Sequence, residues 1–187
     1  MRIACAVEER EDDERAVRAI LAGDTEAFDA LARAYRGRLL GICFRYTGNR
    51  EDADDVVQDV LLRAYRGLPG FRGDASFRTW LYRIAVNACL NWTAGRRWRE
   101  APVSELPVLV DPAPTPAERL AEIEEETAVR RAIAGLPDRQ RITLVLRVYE
   151  DLSHKEIAEA MGCSVGTVKA NFFFALKNLR KRFERTP

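Results

Sequence analysis

The chain has little of what catalysis, metal binding or secretion requires. It holds one histidine, His154, and four widely spaced cysteines, Cys5, Cys43, Cys89 and Cys163, with no Cys-x-x-Cys pair among them. Zinc sites are built from closely spaced pairs of such ligands, so the spacing argues against one. Cys43 and Cys89 fall on or beside apolar helix faces and read as small core residues. No leader resembling a signal peptide and no apolar run of the ~20 residues that span a bilayer is present. Free thiols without a secretion signal point to the cytoplasm, with no membrane insertion by the chain itself. The net charge of +1 names no partner. Its distribution says more. Residues 1–100 carry 17 basic and 16 acidic side chains, residues 101–136 carry 3 and 7, and residues 137–187 carry 10 and 6. Cations therefore gather at the C-terminal end, behind an acidic segment.

What is present is helical periodicity. Residues 1–11 read as loose. Asp12 to Ala22 fits a short helix burying Ala16, Val17, Ile20 and Leu21, stopped by Gly23. Asp24 caps a long amphipathic helix with apolar residues from Phe28 to Tyr46 at steps of three and four, ending at Thr47-Gly48-Asn49. The next helix, Asp52 to Arg66, buries Ala53, Val56, Val57, Val60, Leu61 and Ala64. Its opposite face carries Asp55, Gln58, Asp59, Leu62 and Arg66, with the acidic residues in the first turns, where the helix dipole favours them. An apolar Leu62 among carboxylates suggests a docking surface, although single surface leucines are common. Asp52, Asp55 and Asp59 also lie on one side, which leaves a carboxylate metal site as an alternative.

The stretch FRGDASFRTWLYRIAVNACLNWTAGRRW, Phe71 to Trp98, holds all three tryptophans. Ser76 fits a helix N-cap. Phe77, Trp80, Leu81, Ile84, Ala85, Ala88 and Trp92 then make one helical face. Along its edge runs a polar row, Thr79, Arg83, Asn87 and Asn91, and the end is basic: Arg96, Arg97 and Arg99. Unpaired nucleic acid calls for this set, with cations for phosphates, aromatics to stack bases and amides to read base edges. A plain core helix with a solvated face accounts for the same periodicity.

Residues 101–116, APVSELPVLVDPAPTP, contain five of the eight prolines and read as a semi-extended linker. Thr115, Pro116 and Glu118 open a new helix through a capping box, and Gly135-Leu136-Pro137 ends it. A helix over about Asp138 to Glu150 follows. Ser153 and Glu156 form a second capping box, Gly162 makes a turn, and Ser164 caps the last helix. Val165, Val168, Phe172, Ala175, Leu176, Leu179 and Phe183 face inward on it. Two helices joined in this way make a helix-turn-helix, whose second helix enters the major groove. Its outward face shows Lys169, Ala170, Phe173, Phe174, Lys177, Arg180 and Lys181. The two phenylalanines suit either thymine methyl groups or a protein partner.

Three segments, DADDVVQDVLLRAY (Asp52 to Tyr65), FRGDASFRTWLYRIAVNACLNW (Phe71 to Trp92) and LSHKEIAEAMGCSVGTVKANF (Leu152 to Phe172), stand in this order. With them the chain resembles the extracytoplasmic-function group of bacterial RNA polymerase sigma factors, from Asp12 to Arg185. The resemblance implies an all-α protein of two small helical domains joined by a proline-rich linker. It implies a flexible N-terminus at 1–11, a region 2 domain at 12–99, a linker at 100–115 and a region 4 domain with the helix-turn-helix at 116–187. It implies no enzymatic activity and no cofactor or metal. The partners it implies are core RNA polymerase, promoter DNA and an anti-sigma factor. Asp55, Gln58, Asp59, Leu62 and Arg66 match the polymerase-binding helix. Phe71, Arg72, Phe77, Arg83, Asn87, Asn91, Arg96 and Arg97 match the surface that takes the melted −10 strand. Ser164, Thr167, Lys169, Ala170, Asn171, Phe173, Phe174, Lys177 and Lys181 match the −35 duplex reader. One stretch departs from the family pattern: Asn171, Phe172, Phe173 and Phe174 stand where arginines are common. A regulator binding duplex DNA without polymerase fits the C-terminal half but leaves Phe71 to Trp98 idle. A nuclease using the Asp52 to Asp59 carboxylates is the remaining alternative.

Overall fold

A computed structural model of the chain describes the backbone of residues 2–96 and 127–184. Arg97, the proline-rich linker and the capping box of Thr115 and Glu118 lie outside the described residues. Every regular element among them is helical. No helix among them is long and apolar enough to cross a membrane.

The first helix, α1, spans Arg2–Leu21 and so begins ten residues before the expected Asp12. Residues 2–11 contain no proline or glycine, and lengthening a helix costs less than nucleating one. Helix α2 spans Thr25–Thr47. The Asp24 carboxylate accepts from the amides of Glu26 and Ala27 at 3.0 and 3.1 Å, and Gly48 closes the helix at φ 85°, where a Cβ would be strained. Helix α3 spans Arg50–Gly67, capped by Asn49, whose side chain accepts from the Asp52 amide at 2.8 Å. A short 3-10 turn, Leu68–Gly70, leads to α4, Phe77–Arg96.

In the second half, α5 covers residues 127–134, α6 spans Asp138–Tyr149, α7 spans His154–Met161 and α8 spans Val165–Phe183. The expected caps are in place. Ser153 Oγ accepts from the Glu156 amide at 3.2 Å while Glu156 accepts from the Ser153 amide at 2.8 Å. Gly162 turns at φ 60°, and Ser164 Oγ accepts from the Thr167 amide at 3.1 Å. Between α6 and α7, Asp151 sits at φ 53°, a left-handed conformation that aspartate tolerates better than most residues.

Helix α1 is tied to α2 by a buried hydrogen bond from the Tyr35 hydroxyl to the Asp13 carboxylate. Burial, and then the Asp13 carboxylate, hold the Tyr35 hydroxyl protonated far above its ordinary range. Helices α2, α3 and α4 pack around Leu39, Ile42, Cys43, Tyr46, Val60, Leu81 and Cys89. The sequence reading divides the chain into two domains. In the structure one apolar cluster runs through both halves, because Ile142, Val145, Leu146, Leu152 and Ile157 of the second half belong to it. A smaller cluster of Ile133, Leu136, Leu144 and Ala175 holds α5 against α6 and α8.

A shared core makes the two halves unfold together. Leu146 is fully buried, and Leu146→Ala is expected to cost about 2–5 kcal/mol. All three tryptophans lie in the first half, so their fluorescence reports on that half alone. The urea transition followed by tryptophan fluorescence should shift with this substitution. An unmoved tryptophan transition beside a shifted helical signal would mean two separate cores.

Candidate nucleic-acid interface

The surface around Phe71 is hung between two fixed points. At one end the Phe71 amide donates to the Leu68 carbonyl at 2.9 Å, and Leu68 is buried. At the other, Ser76 Oγ accepts from the Thr79 amide at 3.1 Å, the cap the sequence suggests. Three rings pack between them. Phe71 lies 5.2 Å from Trp80 and 6.1 Å from Phe77, and Phe77 lies 5.6 Å from Trp80 between ring centroids. Phe77 also meets Tyr35 edge to face at 5.5 Å and is buried. It therefore supports the other two rings from beneath, while Phe71 and Trp80 stay half-exposed. Gly67 has a role that the sequence reading missed: a Cβ there would sit 3.3 Å from Trp80, closer than ordinary contact. Its missing side chain lets the indole lie on the end of α3.

Along α4 the polar row divides. Thr79 is buried and bonded to Ser76. Arg83, Asn87 and Asn91 are exposed, one turn apart along α4. Arg72 is exposed on the connecting segment, and Arg96 ends the helix. The sequence reading gave α4 one apolar face. The structure gives it two, because Tyr82, Val86 and Cys89 are buried as well. Their spacing, 82, 86 and 89, is itself helical, and a helix apolar nearly all round is buried on most sides. Burial and the adjoining Glu150 push the Tyr82 phenol far above its ordinary range. The Cys89 thiol is also raised, by its hydrogen bond with Cys43 and by burial, and both cysteines are buried in the core.

On α3 the face opposite the core is as expected. Asp55, Gln58, Leu62 and Arg66 are exposed, and Asp59 pairs with Arg63 at 2.8 Å. Tyr65 joins them at 47% exposure, next to Leu62 at 46%. The sequence reading left Tyr65 out because it lies at the edge of the stripe. Asp52 is engaged with Asn49, and no group of three metal-ligating side chains converges among the described residues.

On α8, Ser164, Thr167, Lys169, Ala170, Phe173, Phe174, Lys177 and Lys181 are exposed, and Asn171 is half-buried. Phe173 is 62% exposed, and its ring meets Phe174 edge to face at 5.5 Å. Only Val168 and Ala175 of the expected inward face are buried, whereas Val165, Leu176 and Phe183 are exposed. The described neighbours α5, α6 and α7 cover only the arc centred on Val168 and Ala175, and the other three lie at its edge.

Fold and surface define an all-helical nucleic-acid-binding protein with an aromatic platform on one half and a basic helix-turn-helix on the other. Residues 31–99 match the family model for Sigma-70 region 2, and residues 126–179 match that for Sigma-70 region 4. The chain is 35% identical over 185 residues to the RNA polymerase sigma-H factor of Pseudomonas aeruginosa, covering 94% of this chain and 95% of that one. It is 34% identical over 181 residues to the ECF RNA polymerase sigma-E factor of Haemophilus influenzae, covering 92% and 95%. Among solved structures it is similar to CnrH in complex with the cytosolic domain of CnrY, at 26% identity and a TM-score of 0.69, covering 94% of this chain and 99% of that one. The chain belongs to the extracytoplasmic-function sigma factors, which are transcription initiation factors and not enzymes.

Support and surface differ in what their removal costs. Phe77→Ala should destabilise the protein by about 3–5 kcal/mol. Leu62→Ala should change stability by no more than about 0.5 kcal/mol. Thermal melts of both variants check this, and a large destabilisation from Leu62→Ala would place that side chain in the core.

Proposed function

We propose that this sigma factor divides promoter reading between two chemically different surfaces. The α4 surface takes the melted −10 strand, and α8 reads the −35 element as duplex. The observation that carries the reading is that half-buried Phe71 and Trp80 pack together at the start of α4 while Arg83, Asn87 and Asn91 form an exposed row further along the same helix. An unpaired base needs a ring to stack on, worth ~1–3 kcal/mol, together with an amide for its edge and a cation for its phosphate. Phe77 and Arg72 complete the platform from below and from the side, and the sequence runs on into basic Arg96 and Arg97. Duplex DNA needs charge along a helix that fits the major groove, and Lys169, Lys177 and Lys181 supply it beside Phe173 and Phe174. Thr167, Ala170 and Asn171 lie between them, at the entry of the helix into the groove.

Core polymerase docks on the outer face of α3, through Asp55, Gln58, Asp59, Leu62 and Arg66. Carboxylates around an exposed leucine and tyrosine make an anchor that a basic, apolar partner surface fits. An anti-sigma factor is the further partner, and the likeness to CnrH in its complex supports a chain that a second protein can hold. These partners place the protein in the cytoplasm.

The test is reconstitution. Added to core RNA polymerase with a library of genomic fragments, the protein should produce transcripts that share a −10 and a −35 element. Phe71→Ala and Asn87→Ala should abolish strand opening while leaving −35 duplex binding intact. Replacing Lys169, Lys177 and Lys181 together should flatten the salt dependence of duplex binding, by about 0.9 in log–log slope for each phosphate that is no longer neutralised. No promoter-directed transcript, with duplex binding retained, would favour a regulator that acts without polymerase.

A further inference from the structure

Helix α8 carries two rows of residues on opposite sides. Val168 and Ala175 are buried, and Phe172 and Leu179 pack against the smaller cluster. Away from that side, Thr167, Ala170, Phe174, Lys177 and Lys181 follow one another at alternating steps of three and four, and all five are exposed. Such steps keep to one helical face. The Thr167 hydroxyl is taken up by Ser164 at 2.9 Å. Asn171 is half-buried, and its amide nitrogen is hidden from solvent. From Ala170 to Phe174 the outward row therefore holds no hydrogen-bonding side chain, and cations resume one turn later at Lys177 and Lys181. At the centre of the row stands Phe174, 47% exposed, with the Phe173 ring against it edge to face. A ring braced in this way has given up rotamer freedom before anything binds. Asn178 of the same helix donates to Gln140 of α6 at 2.8 Å, which helps fix the direction in which the row points.

We propose that Phe174 is a specificity residue of this sigma factor that recognises the C5 methyl group of one thymine in the −35 element, and that Phe173 is the positioning residue that braces it. The inference rests on the reading of α8 as the duplex-binding helix given above. Base edges in the major groove present hydrogen-bond donors and acceptors, and a single apolar group, the thymine methyl. A phenyl ring pairs with no donor or acceptor. Laid on guanine, adenine or cytosine it strips water from polar atoms and returns no hydrogen bond, whereas on thymine it buries the methyl. Position separates Phe174 from a protein-docking patch. The other exposed apolar residues of α8, Val165, Leu176 and Phe183, stand nine, two and nine residues from it. At 3.6 residues per turn all three fall on the far side of the helix. The companions of Phe174 on its own face are Thr167, Ala170 and two lysines, a set that suits base edges and phosphates. The matching duplex has an A·T pair whose thymine lies under Phe174, with phosphates within reach of Lys177 and Lys181.

Deoxyuridine lacks only the C5 methyl of thymidine and keeps the hydrogen bonds of the pair, so it isolates the contact. The test uses holoenzyme reconstituted from the full chain and core RNA polymerase, on a promoter taken from its own transcripts. Each −35 thymine, on either strand, is replaced in turn by deoxyuridine. For the wild type one replacement should weaken promoter binding about fourfold, the worth of one buried methyl group. Phe174→Ala should bind the thymine and deoxyuridine promoters alike, with an unchanged salt slope, because the ring neutralises no phosphate. Phe174→Leu should retain part of the methyl preference. Phe174→Arg should move the preference at that pair from thymine to guanine, whose O6 and N7 accept from a guanidinium. Phe173→Ala should shrink the methyl effect without moving its position. A wild type indifferent to every replacement overturns the proposal, and so does a methyl effect that persists in Phe174→Ala. An equal loss from Phe174→Ala on thymine and deoxyuridine promoters also overturns it and assigns the ring to a protein contact. If scrambling the whole −35 element leaves wild-type binding unchanged, the reading of α8 as the duplex reader fails, and the proposal falls with it.

Discussion

The structure depends on one helix being buried on two sides. α4 must hide Phe77, Leu81, Ala85, Ala88 and Cys89 against α2 and α3, and also Tyr82 and Val86. The first burial makes region 2 a stable body. The second requires another apolar surface, and α6 and α7 provide it with Leu146, Leu152 and Ile157. Only a narrow strip of α4 remains for solvent, and Arg83, Asn87 and Asn91 occupy it. The position of the proposed nucleic-acid surface is thus what remains of the helix after packing has taken the rest.

Polar groups trapped at such a junction must be satisfied, and they are satisfied across the halves. Glu150 accepts the Tyr82 hydroxyl and gives its carbonyl to Arg78. Its carboxyl is raised above the usual carboxylate range, chiefly by burial, with Tyr82 and Arg78 pulling the other way. Separating the halves would expose an apolar strip and break this network together.

Much of this was legible in the sequence. Caps are local chemistry, and Asp24, Ser76, Ser153 and Ser164 each accept the amide hydrogen bond that a short polar side chain at a helix start suggests. The face of α3 was legible because Val56, Val57, Val60 and Ala64 repeat at steps that leave Leu62 outside. What escaped notice was tertiary. Tyr82 and Val86 were passed over because one apolar stripe had already been assigned to α4, and a second stripe announces a partner without naming it. Leu176 and Phe183 share the periodicity of Val168, but how wide an arc of α8 is covered depends on its neighbours. The backbone of residues 2–11 is helical where looseness was expected, since nothing in that stretch breaks a helix.

The central claim is that α4 is shared between the chain's own second half and the promoter strand. Hydrogen–deuterium exchange of the full chain, free and bound to core polymerase with a melted promoter, tests it most directly. In the free protein, amides of α7 and of the turn of α4 around Tyr82 should be protected together. In the promoter complex, α4 around Asn87 should gain further protection from the bound strand. Fast exchange of α7 in the free chain, or identical protection around Asn87 in both states, would contradict the account.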